Sequence, residues 1–132
     1  MAKTFQLEII TPTSIESEGQ VSYVRAETKQ GQFGIMARHT PAIIALEIGE
    51  IKIVKEGKVY HYATSGGYAD IQPEGVLLLL ETAEKKSDIN IDRAKESLKR
   101  AESILANQDV DIKRAKSAIS RARNRIKVTS KI

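Results

Sequence analysis

Every glycine, proline and aromatic residue of the chain lies at or before Gly75. That asymmetry divides the 132 residues into two parts that cannot fold alike. Glycine and proline supply or preset the backbone angles that turns need, and aromatic side chains suit a pleated sheet. A stretch holding all three reads as short strands joined by turns. A long stretch with none of them has only polar connectors to interrupt a helix.

The first part bears this out in detail. "FQLEI" alternates through Phe5, Leu7 and Ile9, and "IKIVK" through Ile51 and Ile53. "KVYHYAT" is rich in strand formers, and "VLLLL", Val76–Leu80, reads as a strand buried on both faces. Between such runs stand "TPTS", "SEG", "KQGQ", "KEGK", "SGG" and "QPEG", all turn chemistry. Many short strands at this spacing predict an all-β N-terminal sandwich of about ten strands. Its domain spans residues 1–84, with the last strand ending near 82–87.

The second part, residues 88–132, has helical periodicity. Ile91, Ala94, Leu98, Ala101 and Leu105 form one apolar stripe; Ile112, Ala115, Ile119, Ala122 and Ile126 repeat it. The expectation is an antiparallel α-helical hairpin of helices at 91–105 and 111–127. The connector "ANQDV" joins them, with Asp109 or Asp111 capping the second. Six large seam residues are few for a unit this long, so the hairpin needs a docking surface or a ligand.

Charge follows the same division. Residues 1–84 carry seven Lys/Arg against eleven Asp/Glu, a net of −4; residues 85–107 carry six against four, or +2; residues 108–132 carry eight against two, or +6. An anionic partner belongs at the tail. The chain has no cysteine, which excludes disulfides, thiol catalysis and cysteine-ligated metal. Its longest apolar run is far too short to cross a bilayer, and "MAKTFQLEII" lacks a signal-peptide pattern, so a cytosolic protein is expected.

Residues able to do chemistry are sparse. His61 lies mid-strand and reads as a half-buried sheet histidine; His39, in "GIMARHTP", is freer to meet a partner. Neither has metal-spaced ligands or an acid and nucleophile nearby. Ser65 is preceded two places earlier by Ala63, where a nucleophile elbow needs glycine, so "SGG" reads as a turn of close backbone approach. No catalytic residue and no metal site is expected.

The tail is richer. With Ile91 and Ile112 at heptad position a, Arg93, Arg100 and Arg121 fall at c and Arg125 at g. In an antiparallel pair these four arginines share one side of the hairpin and span about 10 Å, the scale of a triphosphate. Guanidinium forks suit phosphate oxygens. The same pattern also describes a solvated basic face. Nucleic acid is disfavoured, because the tail has no aromatic for stacking and the β domain is acidic.

Several segments together resemble the epsilon subunits of bacterial rotary F-type ATP synthases. They are Thr11-Pro12; "GQFGIMARHTP", Gly31 to Pro41, against G-x-[LI]-G-[IV]-x-x-x-H-x-P; Ser65-Gly66-Gly67; and Asp70-Ile71-Gln72-Pro73. Phe33 stands for the usual aliphatic, and "MAR" precedes His39 where Pro-Gly is common. The resemblance covers essentially the whole chain. It implies a non-catalytic central-stalk subunit of the proton-translocating enzyme, peripheral on the cytoplasmic face of the bacterial inner membrane. The sandwich would contact the gamma subunit and the c-ring, here through Gln32, Phe33, Met36 and His39, in a loop expected to be exposed. The helices would either fold on the sandwich or extend along gamma. When extended, Arg114 and Arg123 of the basic second helix would approach the beta subunit and inhibit ATP hydrolysis. No cofactor is required, but many such subunits bind ATP as a regulatory ligand through an [IL]-D-x-x-R-A motif. It corresponds here to Ile89, Asn90, Arg93 and Ala94, with Glu84, Arg100, Arg121 and Arg125 completing the set. Asn90 departs from the motif's aspartate. A ligand-free inhibitory hairpin and a nucleic-acid-binding module are the alternatives.

Overall fold

The computed structural model describes residues 3–106 and 112–131. Ten strands come first: β1 (Phe5–Thr11), β2 (Ser14–Val21), β3 (Tyr23–Thr28), β4 (Gly31–Ile35), β5 (Ala42–Leu46), β6 (Gly49–Lys55), β7 (Lys58–Thr64), β8 (Gly67–Gln72), β9 (Gly75–Leu80) and β10 (Ala83–Lys85). A 3-10 turn at Lys86–Asp88 leads into α1 (Ile91–Leu105) and α2 (Ile112–Thr129). The helices follow the two apolar stripes, α2 running two residues beyond the expected 127. The proposed caps Asp109 and Asp111 lie outside the described residues.

The strands form two five-stranded sheets, ordered β2-β1-β9-β8-β5 and β10-β7-β6-β3-β4. Alternation along the strands sends one set of side chains between the sheets. Leu7, Ile9, Val21, Ala69, Val76 and Leu78 come from the first sheet, and Val24, Ile51, Ile53 and Tyr62 from the second. The Tyr62 hydroxyl donates to Glu18 Oε1 at 2.6 Å. Burial, reinforced by that carboxylate, holds the phenol far above its ordinary range, so it stays a neutral donor.

The "SGG" segment turns the chain where two strands pass closely. Gly66 and Gly67 have φ of 109° and 149°. A Cβ on Gly66 would lie 2.9 Å from the Leu46 carbonyl oxygen, and one on Gly67 would collide with the carbonyl oxygen of Leu79.

Two expectations need correction. "VLLLL" is not buried on both faces: Val76, Leu78 and Leu80 point inward, but Leu77 is half-buried and Leu79 is 39% exposed. Among the described residues, no other layer covers that face of the first sheet. Likewise, the segment Gln32–Pro41 is not a uniformly exposed loop. Its first half is edge strand β4, antiparallel to β3, with Ile35 in the core. His39 turns inward rather than outward, its ring 5.5 Å from Phe5 in an edge-to-face contact and both ring nitrogens buried. The edge-to-face contact with Phe5 is the packing that receives the ring on the sandwich rim.

The hairpin docks on the second sheet. Asn90 caps α1, its Oδ1 accepting from the Arg93 backbone N–H at 3.1 Å. Ala94, Ala101, Ala115, Ile119 and Ala122 are buried in the seam, while Ile91 and Ile112 at its ends are exposed. Beyond the stripe, Val128 is fully buried with Ala63 of β7 and Ile89. Asn124 donates from Nδ2 to the Gly49 carbonyl at 2.7 Å. These contacts supply the docking surface that the thin seam required.

Candidate functional site

Two surfaces are chemically unfinished. The first is the bare outer face of the first sheet. Register places Ile15 opposite Ile10, Ile10 beside Leu79, Leu79 opposite Tyr68, and Tyr68 opposite Ala45. One row of apolar side chains thus crosses all five strands. Ile15 is 73% and Tyr68 54% exposed, and Ile43, on the adjoining row of β5, is 71% exposed. Isolated exposed apolar residues are ordinary, but a contiguous band across a whole sheet marks an interaction surface. Sequence reading missed it because a two-faced apolar strand such as β9 suggests burial. The signal was there: apolar residues at both parities of β9, and Ile10 and Ile43 out of phase with their strands' core residues.

The second surface runs along one side of the hairpin. A cleft of about 310 Å³ lies between hairpin and sandwich, bordered by Thr64, Ser65, Thr82, Glu84, Arg121 and Arg125. A second, of about 490 Å³, lies between the helices and is bordered by Arg100, Ile104 and Arg114, with Ala101, Ala115 and Ala118 for its apolar floor. Both are bordered by Ser97 and Ala118, so they form neighbouring stretches of one groove. Heptad positions c and g face it, as the sequence pattern predicts for Arg100, Arg121 and Arg125. Arg93 is exposed on the first turn of α1 and borders neither cleft. Arg114 joins the rim, and Arg123 is exposed elsewhere on α2.

Within the groove, Arg125 meets Glu84 side-on. Its Nη2 donates to Oε2 at 3.0 Å, and Nε lies 2.8 Å from Oε1 in a poorly aligned ionic contact. Glu84 therefore occupies one guanidinium that an incoming anion would otherwise take. The remaining motif residues act structurally: Ile89 packs on the sandwich, Asn90 caps, and Ala94 fills the seam. An amide caps a helix about as well as a carboxylate, so the fold tolerates asparagine at position 90. The Ser65 hydroxyl is 2.6 Å from that of Thr82, and among the described residues no general base meets it. Among the described residues, no three His, Asp or Glu side chains gather to hold a metal. Nor is any described helix long and apolar enough to cross a membrane.

Comparison with known proteins matches both halves. The beta-sandwich domain of the ATP synthase delta/epsilon chain matches residues 4–86, and the long alpha-helix domain of the same chain matches residues 87–130. The chain belongs to the ATP synthase delta/epsilon family. Among curated members, the ATP synthase epsilon chain of Nitratidesulfovibrio vulgaris is 42% identical over 106 residues, covering 80% of this chain and 79% of that one. That of Macrococcus caseolyticus is 44% identical over 101 residues, covering 75% and 74%. The fold recurs in a chain of the Euglena gracilis mitochondrial ATP synthase, with TM-score 0.80 and 20% identity, covering 92% of this chain and 78% of that one. It recurs also in the central stalk and c-ring structure from Tetrahymena thermophila, with TM-score 0.70 and 16% identity, covering 97% and 98%. The delta/epsilon family thus accounts for the order of sandwich and hairpin as one architecture.

Proposed function

We propose that this chain is a non-catalytic central-stalk subunit of a rotary, proton-translocating ATP synthase. The sandwich docks on the gamma subunit and the c-ring, and the basic hairpin regulates ATP hydrolysis. The observation that carries the reading is the apolar row across the outer face of the first sheet. A contiguous exposed apolar band of that kind is the mark of a surface that meets a partner. The exposed Gln32, Phe33 and Met36 at the β4 edge extend the contact, whereas His39 supports it from within. The subunit would then sit at the cytoplasmic face of the bacterial inner membrane as a peripheral part of the complex.

The hairpin groove is suited to a nucleoside triphosphate. Its apolar floor would take a base, and Arg100, Arg114 and Arg121 would neutralise phosphates, with Arg125 shared against Glu84. Arg93 would have to swing toward the groove to join them. A ligand that binds only the docked hairpin stabilises it by RT ln(1 + [L]/Kd), about 2.7 kcal/mol at a hundredfold excess over Kd. ATP would in this way oppose an extended, inhibitory hairpin whose Arg114, Arg121 and Arg123 approach the beta subunit.

Calorimetry on the isolated chain tests the ligand. We expect heat of binding at millimolar ATP or below, lost in Arg121→Ala and in Arg93→Ala, and stronger in Asn90→Asp. Absence of heat in both the native chain and Asn90→Asp would leave the hairpin as a ligand-free inhibitory element, with Glu84 as the internal partner of Arg125.

A further inference from the structure

One buried charge cluster takes no part in either surface. Glu50 of β6 has a side chain only 6% exposed, yet three cationic or protonatable groups surround it. His61 Nδ1 lies 3.1 Å from Oε1 and Arg25 Nη2 lies 3.5 Å from the same oxygen. Lys131 Nζ, from the chain just beyond α2, lies 3.5 Å from Oε2. The segment that delivers Lys131 is itself fixed. Backbone N–H groups of Ser130 and Lys131 bond to the carbonyls of Lys127 and Val128, each at 3.1 Å, and the Ser130 hydroxyl donates to Lys127 at 2.6 Å.

From this geometry we infer that Glu50 and Lys131 form a reversible latch that sets how firmly the hairpin is docked. The inference rests on the reading that the hairpin can leave the sandwich, and it names the contact that controls its departure. Arg25 and His61 belong to the sandwich, whereas Lys131 belongs to the hairpin end. When α2 lifts away, Glu50 keeps Arg25 and His61 and is not left as a lone buried charge. A buried carboxylate stripped of every partner would make undocking prohibitively costly. Here the sandwich supplies the compensation, so the lysine contributes a bias and not a lock. Lys131 is itself 35% exposed, and solvent screens its contribution further. The latch lies beside the Asn124 and Val128 contacts, so releasing it loosens the end of α2 that holds the hairpin down.

Hydrogen exchange on the isolated full chain is the test. An undocked hairpin of this length frays readily, so exchange at Asn124–Thr129 reports docking. Lys131→Met should speed that exchange about two- to fivefold, and Lys131→Arg should leave it near the native rate. Glu50→Gln should match Lys131→Met, and the double variant should exceed neither single change by much, as expected of partners in one interaction. Native protection in Lys131→Met, or full additivity in the double variant, would overturn the latch. Faster exchange with unaltered ATP hydrolysis in the assembled enzyme would uphold the latch while removing the regulatory role of the hairpin.

Discussion

Leu79→Asp leaves the isolated chain folded and takes away its association with the stalk. Leu79 sits at the centre of the apolar row, flanked by Ile10 and Tyr68, and is already 39% exposed. A carboxylate there remains hydrated in the free chain, and surface changes of this kind usually alter stability by about 0.5 kcal/mol. In a dry interface the same carboxylate has no partner. Central apolar positions cost roughly 2–4 kcal/mol when lost from an interface, which is about thirtyfold to a thousandfold in affinity. Titration of the gamma subunit, with circular dichroism on each chain, separates the two effects. Ile15→Asp, at the β2 edge of the row, should weaken binding less. Native affinity in Leu79→Asp would show that the partner sits elsewhere.

The second large effect is on folding. Gly67→Ala should cost about 4 kcal/mol or more, near the upper end for single substitutions. Gly67 has φ of 149°, a region hostile to side chains, and the added Cβ meets backbone of β9, not a movable side chain. Relief requires separating β8 from β9, and these strands carry the core residues Ala69, Ile71, Val76 and Leu78. Thermal unfolding should fall by about 15 °C. Gly57→Ala is the useful contrast. Its φ of 75° is also strained, but nothing lies within 4 Å of an added Cβ, so its cost should be far smaller. Equal losses for the two would mean that strain alone, and not the collision with Leu79, sets the requirement at Gly67.

Much of the fold was legible because it is written in local chemistry. The loss of Gly, Pro and aromatics after position 75 foretold the helices that begin once β9 and β10 are complete, and the three-and-four spacing of apolar residues placed them, with α2 running two residues further. What depends on register was not legible. Nothing local says that Ile10, Leu79 and Tyr68 become neighbours, since that follows from β1 pairing in parallel with β9 across most of the sandwich sequence. Val128 and Asn124 lie off the apolar stripe, Val128 beyond the expected end of the helix, so periodicity gave no sign that both contact the sheet. Heptad geometry brought Arg100, Arg121 and Arg125 to one groove, because it holds along any regular helix pair. It said less about Arg93, on a first turn whose direction is fixed by the Asn90 cap and the docking of Ile89. The inward turn of His39 depends on Phe5, which sits far away in sequence.

The division of labour between sandwich and hairpin can be tested on the assembled enzyme. A chain ending after residue 87 keeps all ten strands and the whole apolar row but lacks α1 and α2. The measurement is ATP hydrolysis by the complex assembled with the full chain and with the shortened one, alongside the amount of each subunit incorporated. The account predicts equal incorporation and faster hydrolysis with the shortened chain. Unchanged hydrolysis at full incorporation, or failure of the sandwich alone to assemble, would contradict it.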